Sequence, residues 1–184
     1  MNEVDIAHVV PMSNTVDPVE RLASLFDGHY HRLYRLARRL TASADDALDL
    51  VQETFLKAAR RPKSIPVGFT NEEAWLVRVL INIRRDQWRK NLARSHFEAI
   101  TAGNSLTATS AGLEGAVIAR ASVWRALDML APRRRAIVVM HELEGIAIPA
   151  IASLLGISQI TVRWHLSMGR RDLATALKST WRSK

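Results

Sequence analysis

The chain of 184 residues contains no cysteine, which excludes disulfides, thiolate metal sites and a cysteine nucleophile. It has no apolar run that approaches the roughly 20 residues needed to span a bilayer, and its first residues lack the basic start and apolar stretch of a signal peptide. These absences predict a cytoplasmic protein without membrane insertion. Hydrophobic residues make up 48% and charged residues 24%, which is typical of a folded globular protein.

Positive charge is unevenly distributed along the chain. Residues 18–95 carry a net charge of +6 and residues 116–184 a net charge of +7, whereas residues 1–17 (−3) and 96–115 (−2) contain no Lys or Arg. Clustered positive charge suits a polyanionic partner, because binding releases counterions. From charge alone, a basic protein without such a partner is an equal alternative.

Apolar residues recur three and four positions apart in almost every periodic segment, and none alternates like a half-buried strand. The sequence therefore predicts an all-α fold. Pro18 is predicted to open the first helix, Ser43 to cap the second in the pattern SADD, and Asn71 to cap the third. Residues 61–70, with two prolines and a glycine, are predicted to form a loop.

Composition divides the chain into segments. Residues 96–115 are rich in Ala, Gly, Ser and Thr, which predicts a flexible linker. Two small helical domains, residues 18–95 and 116–184, are predicted on either side of it. Residues 1–17 are predicted to be a disordered N-terminus.

The stretch IPAIASLLGISQITVRWHL, residues 148–166, has the spacing of a helix-turn-helix. Ala152 lets two helices cross closely, Gly156 supplies a left-handed turn, and Val162 packs into the angle between the helices. Ser158 is predicted to cap the second helix. A helical hairpin without a ligand is the alternative, but it seldom has the glycine. The second helix carries polar and basic groups suited to base edges and phosphates, which favours DNA binding.

Three runs of the sequence resemble bacterial RNA polymerase sigma factors of the extracytoplasmic-function (ECF) group. Region 2 of that group is similar to DDALDLVQETFLKAAR (residues 45–60) followed by AWLVRVLINIRRDQWRK (residues 74–90). Region 4 is similar to LAPRRRAIVVMHELEGIAIPAIASLLGISQITVRWHLSMGRRDL (residues 130–173). The resemblance implies a sigma-70 family factor that binds core RNA polymerase, through its β′ coiled coil and β flap, and promoter DNA. It implies recognition of the −35 and −10 elements and promoter melting, and no cofactor.

The resemblance also implies roles for three sets of residues. Core polymerase is expected to contact four polar residues of the second helix, for which a solvated acidic face is the alternative: Asp46, Asp49, Gln52 and Glu53. The −10 element is expected to contact the third helix and the loop before it: Phe69, Asn82, Arg85, Asp86, Trp88 and Arg89. For Phe69, packing of the ring on the core is an equal alternative. The −35 element is expected to contact the helix-turn-helix and an arginine before it: Arg135, Gln159, Thr161, Arg163, Trp164, Ser167 and Arg170.

The resemblance is imperfect on the predicted reading helix. Trp164, His165 and Met168 stand where the family commonly has Ser, Arg and Arg, so an altered −35 preference is expected. The family is often held inactive by an anti-sigma factor that wedges between the two domains, which makes such a factor an expected partner. Thr54 is a candidate phosphorylation site.

Two other functions compete with the sigma-factor interpretation. A helix-turn-helix regulator that is not a sigma factor would bind duplex DNA without polymerase. An enzyme is disfavoured, because HELEG (residues 141–145) has Gly145 where the zinc motif His-Glu-x-x-His needs its second histidine. The sequence contains no glycine-rich nucleotide loop.

Overall fold

The computed structural model describes residues 17–101 and 115–182. This part of the chain is helical and contains no strand, which confirms the predicted all-α class. No helix within it is long and apolar enough to cross a membrane. A 3₁₀ turn at Pro62–Ser64 precedes α3, and a π-helical turn at Val139–Leu143 continues α5. The helices are α1 (Pro18–Leu40), α2 (Ala44–Arg60), α3 (Phe69–Thr101), α4 (Gly115–Asp128), α5 (Pro132–Val138), α6 (Ile148–Leu155) and α7 (Gln159–Arg182).

The first two helices begin at the predicted residues. Pro18 is the first residue of α1, and the side chain of Asp17 accepts a hydrogen bond from the N–H of Val19 at 3.1 Å. Ser43 caps α2, because its Oγ accepts from the N–H of Asp46 at 3.0 Å. Both caps satisfy N–H groups that have no partner within the helix.

The start of α3 differs from the prediction. Gly68 has a φ of 101°, and its carbonyl accepts from the N–H groups of Asn71 and Glu72 at 2.9 Å. The side chain of Asn71 donates to the carbonyl of Val67, so Asn71 is not the cap. The helix therefore begins at Phe69, inside the predicted loop, because Gly68 makes the turn that the sequence interpretation placed later.

The predicted linker, residues 96–115, overlaps a helix at each of its ends. Helix α3 continues to Thr101, six residues into the predicted linker, and α4 begins at Gly115, its last residue. Residues 102–114 lie outside the described residues, as do residues 1–16 of the predicted N-terminal segment.

Buried side chains from both predicted domains form one continuous core. Leu33 and Leu80 are buried in the first half of the chain, and Ile137, Met140 and Ile151 in the second. Each such side chain contributes roughly 1.5–3 kcal/mol through removal of its apolar surface from water. Helix α3 contacts α5 and α6, and α1 contacts α5, so the two halves pack directly against each other.

Candidate nucleic-acid and polymerase interface

Helices α6 and α7 form the predicted helix-turn-helix. Gly156 ends α6 in a left-handed conformation with a φ of 65°, and its N–H donates to carbonyls of the last turn. Ser158 caps α7, because its Oγ accepts from the N–H of Thr161 at 3.1 Å. Val162 is fully buried in the angle between the helices. A residue with a Cβ at Gly156 would be strained, since L side chains rarely adopt this backbone conformation.

Helix α7 has one buried and one exposed face. Its buried face packs on α5 and α6 and holds Val162, Leu166 and Gly169. Its first turns expose four of the predicted −35-binding residues: Gln159, Arg163, Trp164 and Ser167. Thr161 is half-buried, and its hydroxyl lies 2.8 Å from that of Ser158. The motif thus presents polar, basic and aromatic side chains on a face that nothing in the described chain covers.

The side chain of Trp164 is 54% exposed, but two neighbouring side chains pack against its ring. The guanidinium carbon of Arg134 lies 5.7 Å from the ring centroid, and Arg134 also pairs with Asp172. His165 packs edge-on against the indole, with ring centroids 4.9 Å apart. Burial, together with the charges of Arg134 and Arg133, lowers the pKa of His165, so this imidazole is neutral near pH 7. The cation–π contact contributes about 0.5–1 kcal/mol at an exposed site.

Arg170 is exposed, but a carboxylate from the π-helical turn already binds it. Its Nε and Nη2 donate to Oε1 of Glu142 at 2.9 and 2.6 Å. Exposed pairs of this kind contribute about 0–1 kcal/mol, so a phosphate can replace Glu142 at little cost. The HELEG stretch forms this same turn, and Nδ1 of its His141 lies 3.1 Å from the carbonyl of Ile146.

Arg135 does not lie on the predicted DNA-binding surface. It is only 2% exposed, its Nε donates to the carbonyl of Arg39 at 2.8 Å, and its Nη1 pairs with Asp128. Burial lowers the pKa of Arg135, and the hydrogen bond and charge of Asp128 oppose that shift. The guanidinium therefore binds the end of α1 and has no access to a phosphate in this arrangement. The predicted contact between Arg135 and DNA is therefore not available while the two halves are packed together.

The predicted polymerase-binding residues line α2, but two of them already have partners. Asp49 and Gln52 are exposed. Asp46 is exposed, and its carboxylate accepts from the hydroxyl of the capping Ser43 at 2.7 Å. Glu53 is half-buried, accepts from the amide of Gln87 on α3 at 3.3 Å and lies 3.9 Å from Lys57.

Thr54, on the opposite side of α2, is fully buried. Its hydroxyl donates to the carbonyl of Leu50 at 2.8 Å. A kinase has no access to this hydroxyl in the folded chain, so the candidate phosphorylation site is wrong for this structure.

Phe69 lies in the first turn of α3 and is 59% exposed. One side of its ring packs on the ring of His29 on α1, with centroids 4.3 Å apart. His29 is buried, and its Nε2 lies 3.6 Å from a carboxylate oxygen of Glu72. The other side of the Phe69 ring therefore remains available as a stacking surface at the edge of α1.

Four of the predicted −10-binding residues lie on one face of α3, since they follow each other at three- and four-residue spacing: Asn82, Arg85, Asp86 and Arg89. Asp86 and Arg89 are exposed, Arg85 is half-buried, and Arg85 Nε lies 3.5 Å from Asp86 Oδ1. Trp88 is half-buried and follows Arg85 by three residues, so it lies about 60° around the helix from Arg85 but about 120° from Asn82 and about 160° from Asp86. Trp88 therefore lies at the edge of this face, beside Arg85.

Asn82 lies where the two halves of the chain meet. It lines a crevice of about 50 Å³ with Arg78 and Ile81 of its own helix and with Arg133 and Leu155 of the second half. Contacts of the helix-turn-helix therefore limit access to part of the −10 face in this arrangement.

Sequence reasoning missed the polar contacts at the end of α1, two of which, those of Arg135 and Glu144 with Arg39, join the halves. Arg84 of α3 and Arg135 of α5 donate to consecutive carbonyls at the end of α1, those of Leu40 and Arg39. Arg39 also lies 3.6 Å from Glu144, which follows the π-helical turn. These donors bind carbonyls that the end of a helix leaves unpaired, where cations are favoured. Three consecutive arginines, Arg133 to Arg135, precede the helix-turn-helix. Such a run is as typical of a phosphate-binding surface as of a contact with the end of a helix, so the sequence could not distinguish the two.

Comparison with known proteins agrees with this geometry. The family models for Sigma-70 region 2 and Sigma-70 region 4 match residues 25–94 and 120–173. The ECF RNA polymerase sigma factor SigL of Mycobacterium tuberculosis is 30% identical over 157 residues, which are 85% of this chain and 89% of SigL.

The chain belongs to the ECF group of the sigma-70 family.

It is therefore an ECF-type sigma factor, a DNA-binding protein of transcription initiation. The ECF sigma factor SigE of Mycolicibacterium smegmatis is also similar, at 34% identity over 149 residues. That alignment covers 79% of this chain and 57% of SigE.

Two solved structures share the fold of this ECF sigma factor. The sigma factor RpoE of Bartonella quintana, in complex with the anti-sigma factor NepR, has a TM-score of 0.56 and 26% identity, with 87% of this chain and 96% of that chain covered. CnrH, in complex with the cytosolic domain of CnrY, has a TM-score of 0.56 and 23% identity, with 88% and 90% covered.

Proposed function

We propose that this ECF sigma factor binds core RNA polymerase through α2, recognises the −35 element through α7 and the −10 element through α3, and promotes promoter melting. The observation that carries the proposal is the exposed face of α7 in a correctly capped helix-turn-helix. A helix of this kind enters the major groove with its N-terminal residues on base edges.

On the −35 side, Gln159 and Arg163 supply the hydrogen-bonding groups of the first turns. A well-placed bidentate contact contributes about 1–3 kcal/mol of discrimination between bases. Arg170 and Arg171 lie about two turns further on, where they reach phosphates once Arg170 exchanges Glu142 for the DNA backbone. Arg135 would reach a phosphate only after the two halves separate, because its guanidinium is buried against α1 in the packed arrangement.

On the −10 side, the face of α3 combines an amide, a carboxylate and arginines, which suits unpaired base edges and the strand that carries them. Phe69 offers the open side of its ring to a base. Opening DNA costs about 1.4 kcal/mol per stacked step, and capture of a base on an aromatic side chain returns about 1–3 kcal/mol. Strand capture therefore offsets melting without a nucleotide cofactor.

Polymerase binding is proposed to rest mainly on Asp49 and Gln52. Both are exposed, whereas Asp46 takes part in capping α2 and Glu53 contacts α3. Substitution of Asp46 or Glu53 would therefore change the stability of the chain together with its affinity for polymerase.

An anti-sigma factor is proposed as the partner that keeps the two halves together. Asn82 is half-buried in a crevice between the halves, so a protein that stabilises this packing limits access to that part of the −10 face. The fold shared with RpoE, which was solved in complex with an anti-sigma factor, supports this part of the proposal.

Run-off transcription with purified core polymerase on a random promoter library tests the proposal. We expect RNA synthesis that depends on the chain. Arg163→Ala should lower it about tenfold, a loss within the range for one base contact. Lys178→Ala is the matched control, because Lys178 is an exposed cation on the same helix, about 22 Å further along.

Loss of RNA synthesis in the Lys178→Ala variant as well would contradict the assignment of α7. Tight duplex binding by the chain alone, without any effect on polymerase, would favour the regulator that is not a sigma factor.

A further inference from the structure

Two large apolar side chains lie exposed on the outward face of α7. Ile160 is 75% exposed and Trp164 is 54% exposed. They are four residues apart and therefore adjacent on one face of the helix. At about 100° per residue, they lie almost opposite the buried Val162 and Leu166. Both thus project away from the core, on the part of the motif proposed to face DNA.

Packing orients the larger of these side chains. Arg134 contacts the face of the Trp164 ring and pairs with Asp172, while His165 contacts its edge. The ring is therefore supported from the protein side and has lost much of its freedom before any ligand binds. Such preorganisation lowers the entropic cost of binding.

The major groove offers one apolar group that distinguishes bases, the C5-methyl of thymine. Ile160 and Trp164 lie in the first two turns of α7, where a recognition helix contacts base edges. Four residues of helix rise about 6 Å, close to two base-pair steps of 3.4 Å. The pair can therefore reach thymines about two positions apart in one site.

The surroundings of the pair favour DNA over an apolar protein partner. Gln159, Arg163 and Arg171 are exposed around it, so the apolar surface is small and bordered by groups that bind bases and phosphates.

We propose that Ile160 and Trp164 form a methyl-reading pair that selects thymines in the −35 element. This inference rests on the proposed role of α7 and adds the class of base feature that the helix reads.

The test uses holoenzyme assembled from core polymerase and the full chain, on a promoter selected from a random library. Each thymine of the upstream element is replaced in turn by deoxyuridine, which lacks only the methyl group. The wild-type holoenzyme should lose about fourfold in affinity at each contacted thymine. Trp164→Ser should abolish the effect at one position and Ile160→Ser at another, about two positions away. Met129→Ser, at an apolar residue that is 74% exposed outside α7, should leave both effects unchanged.

Equal affinity of the wild-type holoenzyme for thymine and deoxyuridine at every upstream position, with RNA synthesis intact, overturns the inference but leaves the proposed function standing. The same holds if the Trp164→Ser and Ile160→Ser variants keep the full methyl effect, or if they fail only in assembly with polymerase. Absence of RNA synthesis by the wild-type chain contradicts the proposed function, and this inference with it.

Discussion

Gly169 marks the closest approach of α7 to α5. A Cβ built at this glycine would lie 2.5 Å from Cγ2 of Val138 and 3.2 Å from Cγ of Arg134. Ordinary carbon–carbon contacts are about 3.5–4.0 Å, so Gly169→Ala requires the two helices or the valine to move by roughly 1 Å. Val138 is buried, and β-branched side chains have few alternative rotamers. The contact therefore resists relaxation.

The expected loss of stability is the difference between two effects. Overpacking of a buried contact costs about 1–3 kcal/mol, whereas alanine stabilises a helix interior by up to about 1 kcal/mol relative to glycine. Gly28→Ala is the comparison for the second effect, because Gly28 is an exposed residue inside α1. Its Cβ would meet the ring of Phe69 at 3.3 Å, which is a contact with an exposed side chain rather than with a buried one. Gly169→Ala should thus be less stable than Gly28→Ala by about 1–3 kcal/mol.

Urea unfolding of the purified chain, followed by circular dichroism, measures both free energies. Gly169→Ala is then also made in a Val138→Ala background, in which the clashing Cγ2 methyl of Val138 is absent. In that background Gly169→Ala should cost less, giving a coupling free energy of about 1–2 kcal/mol. If Gly169→Ala stabilises the chain as much as Gly28→Ala does, and to the same extent in both backgrounds, the close packing of α5 and α7 described above is wrong.

Three further predictions concern stability and conformation. Arg135→Ala should destabilise the chain by about 2–3 kcal/mol in urea unfolding, because it removes charged hydrogen bonds from a buried site; a loss below about 0.5 kcal/mol would contradict a structural role. The lowered pKa of His165 means that the unfolded chain binds more protons, so stability should be full above about pH 6.5 and fall as the pH drops through the folded-state pKa. His165→Gln should flatten this slope in unfolding curves at several pH values, and an unchanged slope would contradict the role of His165. Because the chain has no cysteine, labels attached at Ser24→Cys and Lys178→Cys report a single distance between the halves. This distance should lengthen when core polymerase and promoter bind. An unchanged distance would count against separation of the halves.

Features that depend on a few neighbouring residues could be predicted from the sequence. Ser43 and Ser158 cap their helices because the groups they satisfy lie three residues away. Gly156 adopts a left-handed turn because no other common residue does so at low cost. Asn71 failed as a predicted cap for a similarly local reason, since Gly68, three residues earlier, already makes the turn.

Features that depend on the packing of distant segments could not be predicted. Arg135 bonds a carbonyl 96 residues away in the chain, so its sequence context, three consecutive arginines, is equally typical of a phosphate-binding surface. Gly169 lies inside a helical pattern, where only the position of α5 explains why a side chain is excluded. The crevice around Asn82 likewise follows from how α5 and α6 lie on α3, which no local pattern encodes.

The contacts between the two halves set the free energy that promoter binding must supply. Arg39 and Glu144 form a partly exposed pair that contributes about 0–1 kcal/mol, and the bond from Arg135 to α1 contributes about 1.5–3 kcal/mol as a charged hydrogen bond. A shift from 1% to 99% open requires about 5.5 kcal/mol of differential affinity. Capture of unpaired bases at about 1–3 kcal/mol each already offsets the cost of opening the duplex, about 1.4 kcal/mol per step, and the apolar contacts of α3 with α5 and α6 add to the free energy that holds the halves together. We therefore expect the packed arrangement to prevail in the free chain, and core polymerase together with the promoter to stabilise the open one.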